Sequence, residues 1–252
     1  MSRSLAAVFA HPDDETFSIA GTVATLADAG VSCSLFCATD GDAGRSSAVP
    51  VGSREELGRL RRAELLAAAR IIGFELVVAA GYPDGALGKV DGDELVGRVV
   101  RFLRERRPGV VVTFGPEGAP NTHADHRVIS RAATAAFFLA ALPTAYPDQL
   151  TGDGALTTHA AARLYYVTWD PPAPGETVGL AAKPAPYGVA ATARLDVRDG
   201  LARKRDAFVA HATQRDHIAE FEKLALRPEE LYALACGTPQ PSALVADLFA
   251  GL

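Results

Sequence analysis

The chain has 252 residues, of which 48% are hydrophobic and 22% charged, a composition typical of globular rather than disordered proteins. Its three cysteines are too few for a secreted disulfide scaffold, and its net charge of −5 argues against a nucleic-acid binder that works by bulk electrostatics. The apolar run at the N-terminus is shorter than a signal-peptide core, and no stretch approaches the length of a membrane span. We therefore expect a cytoplasmic protein without a membrane span, and the net charge leads us to expect no nucleic-acid partner.

Strand and helix patterns alternate along the first 142 residues. Apolar runs predict strands at 5–10, 31–38, 74–79 and 110–114, and helical periodicity predicts helices at 15–29, 54–72, 93–106 and 123–142. Connections of this length join parallel strands, so we predict an α/β, Rossmann-like three-layer fold with a mostly parallel sheet and helices on both faces. In the common doubly wound order, the first and fourth strands are neighbours.

The segment 143–192 differs from the rest of the chain because it holds seven of the sixteen prolines. We expect it to be loop-rich and to form a lid or rim. Strands are predicted at 164–169 and 194–197, a helical region at 198–224 and a short helix after Arg227. No internal repeat is present, and we expect residues 1–252 to form a single domain.

A first polar cluster lies where the first predicted strand meets the first predicted helix, in the segment 10–15. Histidine and aspartate are common ligands of zinc-like ions, and His11 and Asp14 can converge on one ion across a tight turn. Asp13 then points elsewhere and could act as a base beside the metal. A cation would also relieve the repulsion between the two adjacent carboxylates. The alternative is a turn with a helix N-cap and an acidic first turn.

A second polar cluster follows the fourth predicted strand, in the segment 121–126. His123 and His126 are three residues apart and share one face of a helical turn. Asp125 can hydrogen-bond the free ring nitrogen of a histidine and so fix its tautomer. If the first and fourth strands are neighbours, His11, Asp14 and one later histidine give three protein ligands and an open position, the pattern of catalytic zinc. By itself this segment is also compatible with an ordinary polar helix start.

The two clusters resemble the signature of the PIG-L/LmbE-like family of zinc-dependent N-acetylglucosaminyl de-N-acetylases. That signature combines an AHPDDE-type segment with a later HxDH segment, which are found here at 10–15 and 123–126. Three weaker segments also resemble the family. They are Arg61 to Leu65 as R-x-x-E-L, Tyr82 to Gly85 as an Asp-bearing turn, and Lys204, Ala207, His211 and Gln214 as K-x-x-A-x-x-x-H-x-x-Q.

The resemblance implies a role for each matched residue. Zinc, or another divalent transition metal, is assigned to His11, Asp14 and His126. Asp13 is the expected general base, His123 the general acid or oxyanion stabiliser, and Asp125 the residue that orients His123. Arg61 and Asp84 are expected in the substrate pocket, with His211 and Gln214 lining its rim.

The expected function is therefore a zinc-dependent hydrolase that removes an N-acetyl group from an N-acetylglucosamine-type conjugate. The expected partner is a small N-acetylated sugar, and a homo-oligomer is left open. One alternative is the same metal chemistry on another amide or on a phosphate or other ester, because a set of hydrolytic ligands does not define the bond cleaved. Another is a non-catalytic sugar- or metal-binding relative.

Overall fold

The computed structural model describes residues 3–118, 121–169 and 189–252. The strands are β1 (Ser4–Phe9), β2 (Ser32–Thr39), β3 (Leu76–Tyr82), β4 (Val110–Phe114), β5 (Arg163–Thr168), β6 (Ala193–Asp196) and β7 (Glu229–Gly237). The α-helices are α1 (Asp14–Ser18), α2 (Ala20–Asp28), α3 (Arg54–Ile72), α4 (Gly92–Arg106), α5 (Ala124–Leu139), α6 (Leu201–Ala210) and α7 (Ile218–Leu224). Among these described helices, none is both long and apolar enough to cross a bilayer.

The strands form one sheet in the order β3-β2-β1-β4-β5-β7-β6. Strands β1 to β5 are parallel, whereas β7 runs antiparallel to both β5 and β6. The predicted mostly parallel α/β fold is therefore confirmed, and so is the pairing of the first and fourth strands.

Two groups of helices cover the sheet. Helices α4 and α5 pack against each other and against β1, while α6 packs against α2 and α3. Every residue of β1 and β4 is buried, as expected for parallel strands that are covered on both faces. One contiguous apolar core contains residues from Leu5 to Phe249.

Three of the secondary-structure elements predicted from the sequence differ from those in the structure. The predicted helix at 15–29 is divided at Ile19, where a backbone φ of −144° separates α1 from α2. The predicted helical region at 198–224 is interrupted by a 3₁₀ segment at Ala212–His217. The helix predicted after Arg227 is wrong, because strand β7 begins at Glu229 and pairs on both sides.

The expected lid or rim at 143–192 is only partly within the described residues, because 170–188 lie outside them. The described part contains a 3₁₀ turn at Pro147–Leu150 and the strand β5. A lid therefore stays a prediction.

Candidate metal centre and active site

The pairing of β1 with β4 brings the two polar clusters together. Leu5 lies opposite Val110 and Ala7 opposite Val112 in the parallel register, so both strands end at the same edge of the sheet. His11 and Asp14 follow β1, and His126 lies in the first turn of α5, after β4. All three side chains are buried.

The donor atoms of these three side chains form a compact triangle, in which Asp14 contributes a different carboxylate oxygen to each of its two edges. His126 Nε2 lies 3.2 Å from His11 Nδ1 and 3.2 Å from Asp14 Oδ1, and His11 Nδ1 lies 3.4 Å from Asp14 Oδ2. Zinc bonds of 2.0–2.1 Å in a tetrahedral site place neighbouring ligand atoms about 3.3 Å apart. Two imidazole nitrogens and a carboxylate at this spacing therefore fit a zinc-sized cation.

Local contacts hold two of these side chains in place. The backbone N–H groups of Ala10 and His11 both donate to Asp14 Oδ2, at 3.2 and 2.7 Å. The ring of His126 stacks on Phe114, the last residue of β4, with centroids 3.9 Å apart and planes 9° from parallel. The histidine ring therefore has little rotational freedom at the metal centre.

The second nitrogen of His11 faces two other carboxylates. His11 Nε2 lies 3.1 Å from Asp84 Oδ1 and 3.4 Å from Asp125 Oδ2. Burial by itself would lower the pKa of His11, but Asp125, Asp14 and Asp84 together raise it well above its usual value. A site that draws a proton so strongly is also electrostatically suited to a cation.

The carboxylate of Asp125 contacts the ring of His11, whereas its backbone contacts His123. Its carboxylate accepts hydrogen bonds from the backbone N–H groups of Gly85 and Leu87, at 2.7 and 3.1 Å, and contacts His11. These two N–H groups point the carboxylate toward His11. It is the backbone N–H of Asp125 that contacts His123, donating to Nδ1 at 3.2 Å.

His123 is the N-cap of α5 and is only partly buried. Because its Nδ1 accepts the Asp125 N–H, the proton of the neutral ring must lie on Nε2. Burial and the neighbouring rings of His11 and His126 lower the pKa of His123, which favours the neutral form. The ring of His123 packs edge-on against that of His11, with centroids 4.7 Å apart.

Asp13 lies beside the triangle, and its carboxylate is 17% exposed. Burial raises the pKa of Asp13 to about 6, although the guanidinium of Arg61 opposes this shift. A carboxylate with such a pKa is suited to accept a proton near neutral pH. Its Oδ2 accepts a hydrogen bond from Arg61 Nη2 at 3.0 Å.

Arg61 is buried rather than open to solvent. Its guanidinium donates to the backbone oxygens of Gly41 and Pro12 as well as to Asp13. Gly41 has a φ of +66°, and a Cβ there would lie 2.5 Å from Arg61 Nη1. Glycine at this position therefore gives the guanidinium room to reach the turn that carries Asp13.

The other residues expected at the substrate pocket also make protein contacts. Asp84 faces His11, as described, and is 10% exposed. His211 is fully buried and lies 2.8 Å from Glu15. Gln214 is 5% exposed and donates to the backbone oxygen of Arg45 at 3.4 Å. Both side chains are buried against protein groups, and their place at the rim of a substrate pocket stays a prediction.

Two residues at the site received no role from the sequence. Glu15 lies within the first motif, but its fully buried carboxylate was not distinguished from an ordinary acidic first turn. Phe114 supports His126 by stacking, and no sequence signal separates it from a core phenylalanine. The position of Glu15 inside the motif could have been noticed, whereas the role of Phe114 depends on where α5 packs.

Comparison with known proteins identifies a family and similar relatives. Residues 6–137 match the family described as GlcNAc-PI de-N-acetylase, or PIG-L. The 1D-myo-inositol 2-acetamido-2-deoxy-alpha-D-glucopyranoside deacetylase of Rhodococcus erythropolis is 30% identical, over all of this chain and 98% of that protein. The probable N-acetyl-alpha-D-glucosaminyl L-malate deacetylase 2 of Bacillus cereus is 33% identical, over 52% of this chain and 60% of that protein.

The fold is also similar to solved structures. The N,N'-diacetylchitobiose deacetylase of Pyrococcus horikoshii superposes with a TM-score of 0.73, covering 92% of this chain and 84% of that chain. Its sequence identity is 21%, so this similarity bears on the fold alone.

Proposed function

This chain belongs to the PIG-L family of GlcNAc-PI de-N-acetylases, and from that premise we propose that it hydrolyses the N-acetyl group of a small N-acetylglucosamine conjugate. The observation that carries the proposal is the triangle of His11, Asp14 and His126 beside the carboxylate of Asp13. Relatives named for the inositol and L-malate conjugates of this sugar suggest the substrate class.

The family is metal-dependent, and the cation we propose for this chain is zinc, held by His11, Asp14 and His126. The nitrogen and carboxylate donors and their spacing support this choice. When bound, zinc supplies a Lewis acid that polarises the acetyl carbonyl and lowers the pKa of water.

Asp13 is proposed to move the proton in both halves of the reaction. Its carboxylate accepts a proton from the water that attacks the acetyl carbonyl. It then returns that proton to the nitrogen as the C–N bond breaks, so the products are acetate and a free amine. Burial of Asp13 and its position next to the triangle support this role.

His123 is proposed to stabilise the oxyanion. Because its neutral ring carries the proton on Nε2, this nitrogen can donate a hydrogen bond to the negative oxygen that develops on the substrate. The lowered pKa of His123 favours such a neutral donor over the protonated ring. Proton return to the amine then belongs to Asp13.

The proposal is tested by acetate release from the N-acetylglucosaminyl conjugates of inositol and L-malate. We expect acetate and a free amine in a one-to-one ratio, loss of turnover with a chelator, and recovery when zinc is added. A protein that binds the conjugates without releasing acetate would instead be the non-catalytic relative considered above. Hydrolysis of an ester or phosphate control, with the N-acetyl group left intact, would favour the other hydrolase.

The variant Asp13→Asn tests the assignment of the base. Because asparagine cannot accept the proton, we expect turnover to fall by at least ~100-fold while zinc content stays at the wild-type level. Asp247→Asn is the matched control, because Asp247 is exposed and pairs with Arg3 on the surface. Near-normal turnover in Asp13→Asn would remove Asp13 from the base role.

A further inference from the structure

The backbone of Asp13 has an unusual conformation for a residue other than glycine. Its φ is 107° and its ψ −25°, in the left-handed region, and as the N-cap of α1 it makes no side-chain capping hydrogen bond. Conformations of this kind persist only where the surrounding structure holds them, and they concentrate at functional sites. The contacts that hold Asp13 therefore affect where its carboxylate lies.

Glu15 supplies the first of these contacts. Its Oε2 accepts the backbone N–H of Asp13 at 3.0 Å, and its Oε1 accepts the hydroxyl of Thr16 at 2.6 Å. The side chain is only 1% exposed. A buried carboxylate must be paired, and the remaining partner of Glu15 comes from a distant part of the chain.

That partner is His211, the C-cap residue that follows α6. Its Nε2 lies 2.8 Å from Glu15 Oε1, and the side chain has no exposed surface. Since a carboxylate only accepts hydrogen bonds, the ring donates and Glu15 accepts. His211 therefore fixes the carboxylate that in turn fixes the peptide of Asp13.

Two side chains of helix α3, one turn apart, contact the segment that carries Asp13 and the segment that follows His211. Arg61 holds the carboxylate of Asp13 and the backbone oxygen of Pro12. Glu64 accepts the backbone N–H of Thr213 at 2.9 Å and its hydroxyl at 2.7 Å. Thr213 lies two residues after His211, so the same helix face anchors the turn that presents His211.

We propose that Glu15, His211 and Glu64 are positioning residues that, together with Arg61, hold Asp13 in its left-handed conformation for proton transfer. The contacts close a ring that runs from Asp13 through Glu15 and His211 to Thr213 and Glu64, and back along α3 to Arg61. The inference rests on the proposed function, in which Asp13 is the base. The proposal assigns Arg61, Glu64 and His211 one shared positioning role, where the family resemblance implied contacts with substrate for Arg61 and His211.

The central variant is His211→Ala, compared with His211→Gln, which keeps an N–H donor. Because a displacement of about 1 Å can cost ~100-fold in rate, we expect kcat to fall by about that factor in His211→Ala. KM and zinc content should stay within about twofold of wild type, and His211→Gln should recover at least ~10-fold of the lost rate.

The matched control is Arg104→Met, which removes a buried polar side chain that contacts the loop after α5. It reports what a loss of stability alone does to kcat. A fall in kcat as large in Arg104→Met as in His211→Ala would overturn the proposal. A kcat in His211→Gln as low as that in His211→Ala would also overturn the proposal.

A double-mutant cycle with Asp13→Asn tests whether His211 acts through Asp13. If it does, His211→Ala should change the residual rate of Asp13→Asn by less than about twofold, because the group being positioned is already absent. If His211→Ala instead lowers the residual rate of Asp13→Asn by the same ~100-fold as it lowers the wild-type rate, His211 acts elsewhere and the proposal is overturned.

A second readout does not depend on activity. We expect the amide proton of Asp13, followed by NMR in zinc-loaded protein, to exchange faster in His211→Ala than in wild type or Arg104→Met. Unchanged protection of this amide would overturn the ring of contacts. Absence of deacetylation by the wild-type protein would instead contradict the proposed function, and amide exchange would still decide whether the ring holds Asp13.

Discussion

His11 presents its two ring nitrogens to different groups. Nδ1 faces His126 and Asp14, and Nε2 faces Asp84 and Asp125. Carboxylates behind a ligating histidine hold the proton on the far nitrogen and raise the basicity of the ligating one. Under the proposed function, Asp84 and Asp125 would prepare Nδ1 of His11 for the metal.

The variant Asp125→Asn tests this support. The side chain of asparagine has one oxygen and one NH2 group in place of two acceptor oxygens. Its NH2 group must face either the backbone N–H groups of Gly85 and Leu87 or the His11 ring, so the contacts that orient His11 are disturbed. We expect zinc affinity, measured by competition with a chelating dye, to fall about 10- to 100-fold. Asp153→Asn, at an exposed turn, is the control and should bind as wild type. Wild-type affinity in Asp125→Asn would contradict the assignment.

At the scale of elements, the end of α5 is held by one side chain from α4. The guanidinium of Arg104 is buried and donates to the backbone oxygens of Ala140, Leu142, Ala145 and Tyr146, at 2.8–3.2 Å. The last carbonyls of a helix have no intrahelical partners, and Arg104 donates to Ala140 at this end and to three carbonyls of the loop that follows it. Helices α4 and α5 are therefore joined by polar contacts as well as by apolar packing.

We expect Arg104→Met to lower the free energy of unfolding by about 3 kcal/mol, because a buried guanidinium and its hydrogen bonds to four backbone carbonyls are lost. The measurement is urea denaturation followed by circular dichroism. Arg101→Met is matched to it, since Arg101 lies on the same helix but is 58% exposed and pairs with Glu105. That control should change stability by less than about 0.5 kcal/mol. Equal effects of the two variants would refute the role of Arg104.

Strand β7 shows where local pattern and tertiary structure disagree. Its sequence contains Glu229, Glu230, Leu231 and Leu234, which are good helix formers, and this favours a helix after Arg227. In the fold, this segment lies between β5 and β6 and hydrogen-bonds to both. Pairing on both sides outweighs a helix propensity that amounts to a few tenths of a kcal/mol per residue.

At the scale of the whole molecule, β7 also holds the region of the metal centre. Glu230 accepts the backbone N–H groups of Gly21 and Thr22 at the start of α2, and its Oε1 lies 2.5 Å from Lys204 Nζ on α6. The pair is buried, and Lys204 also donates to the backbone oxygen of Phe17 in α1. Segments from both ends of the sequence thus support the helices that follow the first motif.

Metal binding should stabilise the entire fold, because its ligands come from segments that follow β1 and β4. A ligand at 100 times its Kd adds about 2.7 kcal/mol to the free energy of unfolding. For a protein of this size we expect zinc to raise Tm by about 5–10 °C. The measurement is a thermal melt of chelator-treated protein with and without zinc.

His126→Ala should abolish this increase in Tm and the bound metal together, because one corner of the ligand triangle is lost. His217→Ala is the control, since His217 is about half exposed and pairs with Glu220 away from the site. Full zinc occupancy of His126→Ala by elemental analysis would show that His126 is not a ligand.

The neighbouring position of the first and fourth strands was expected from the common doubly wound order rather than from the residues themselves. The sequence by itself was enough to predict the alternation of strands and helices and the two motifs that follow these strands. These features depend on local periodicity and on residues close together in the chain, so they can be seen before folding. The expectation of a single domain is of the same kind and stays a prediction.

Only the tertiary structure decided what Asp125, Arg61 and His211 contact. The carboxylate of Asp125 contacts His11, which is 114 residues away in the sequence, and the ring of His211 contacts Glu15, which is 196 residues away. Such contacts depend on how helices pack on the sheet, and a buried polar side chain takes whichever partner that packing brings within reach. A motif therefore indicates that a residue matters, while the packing of distant segments decides which group it acts on.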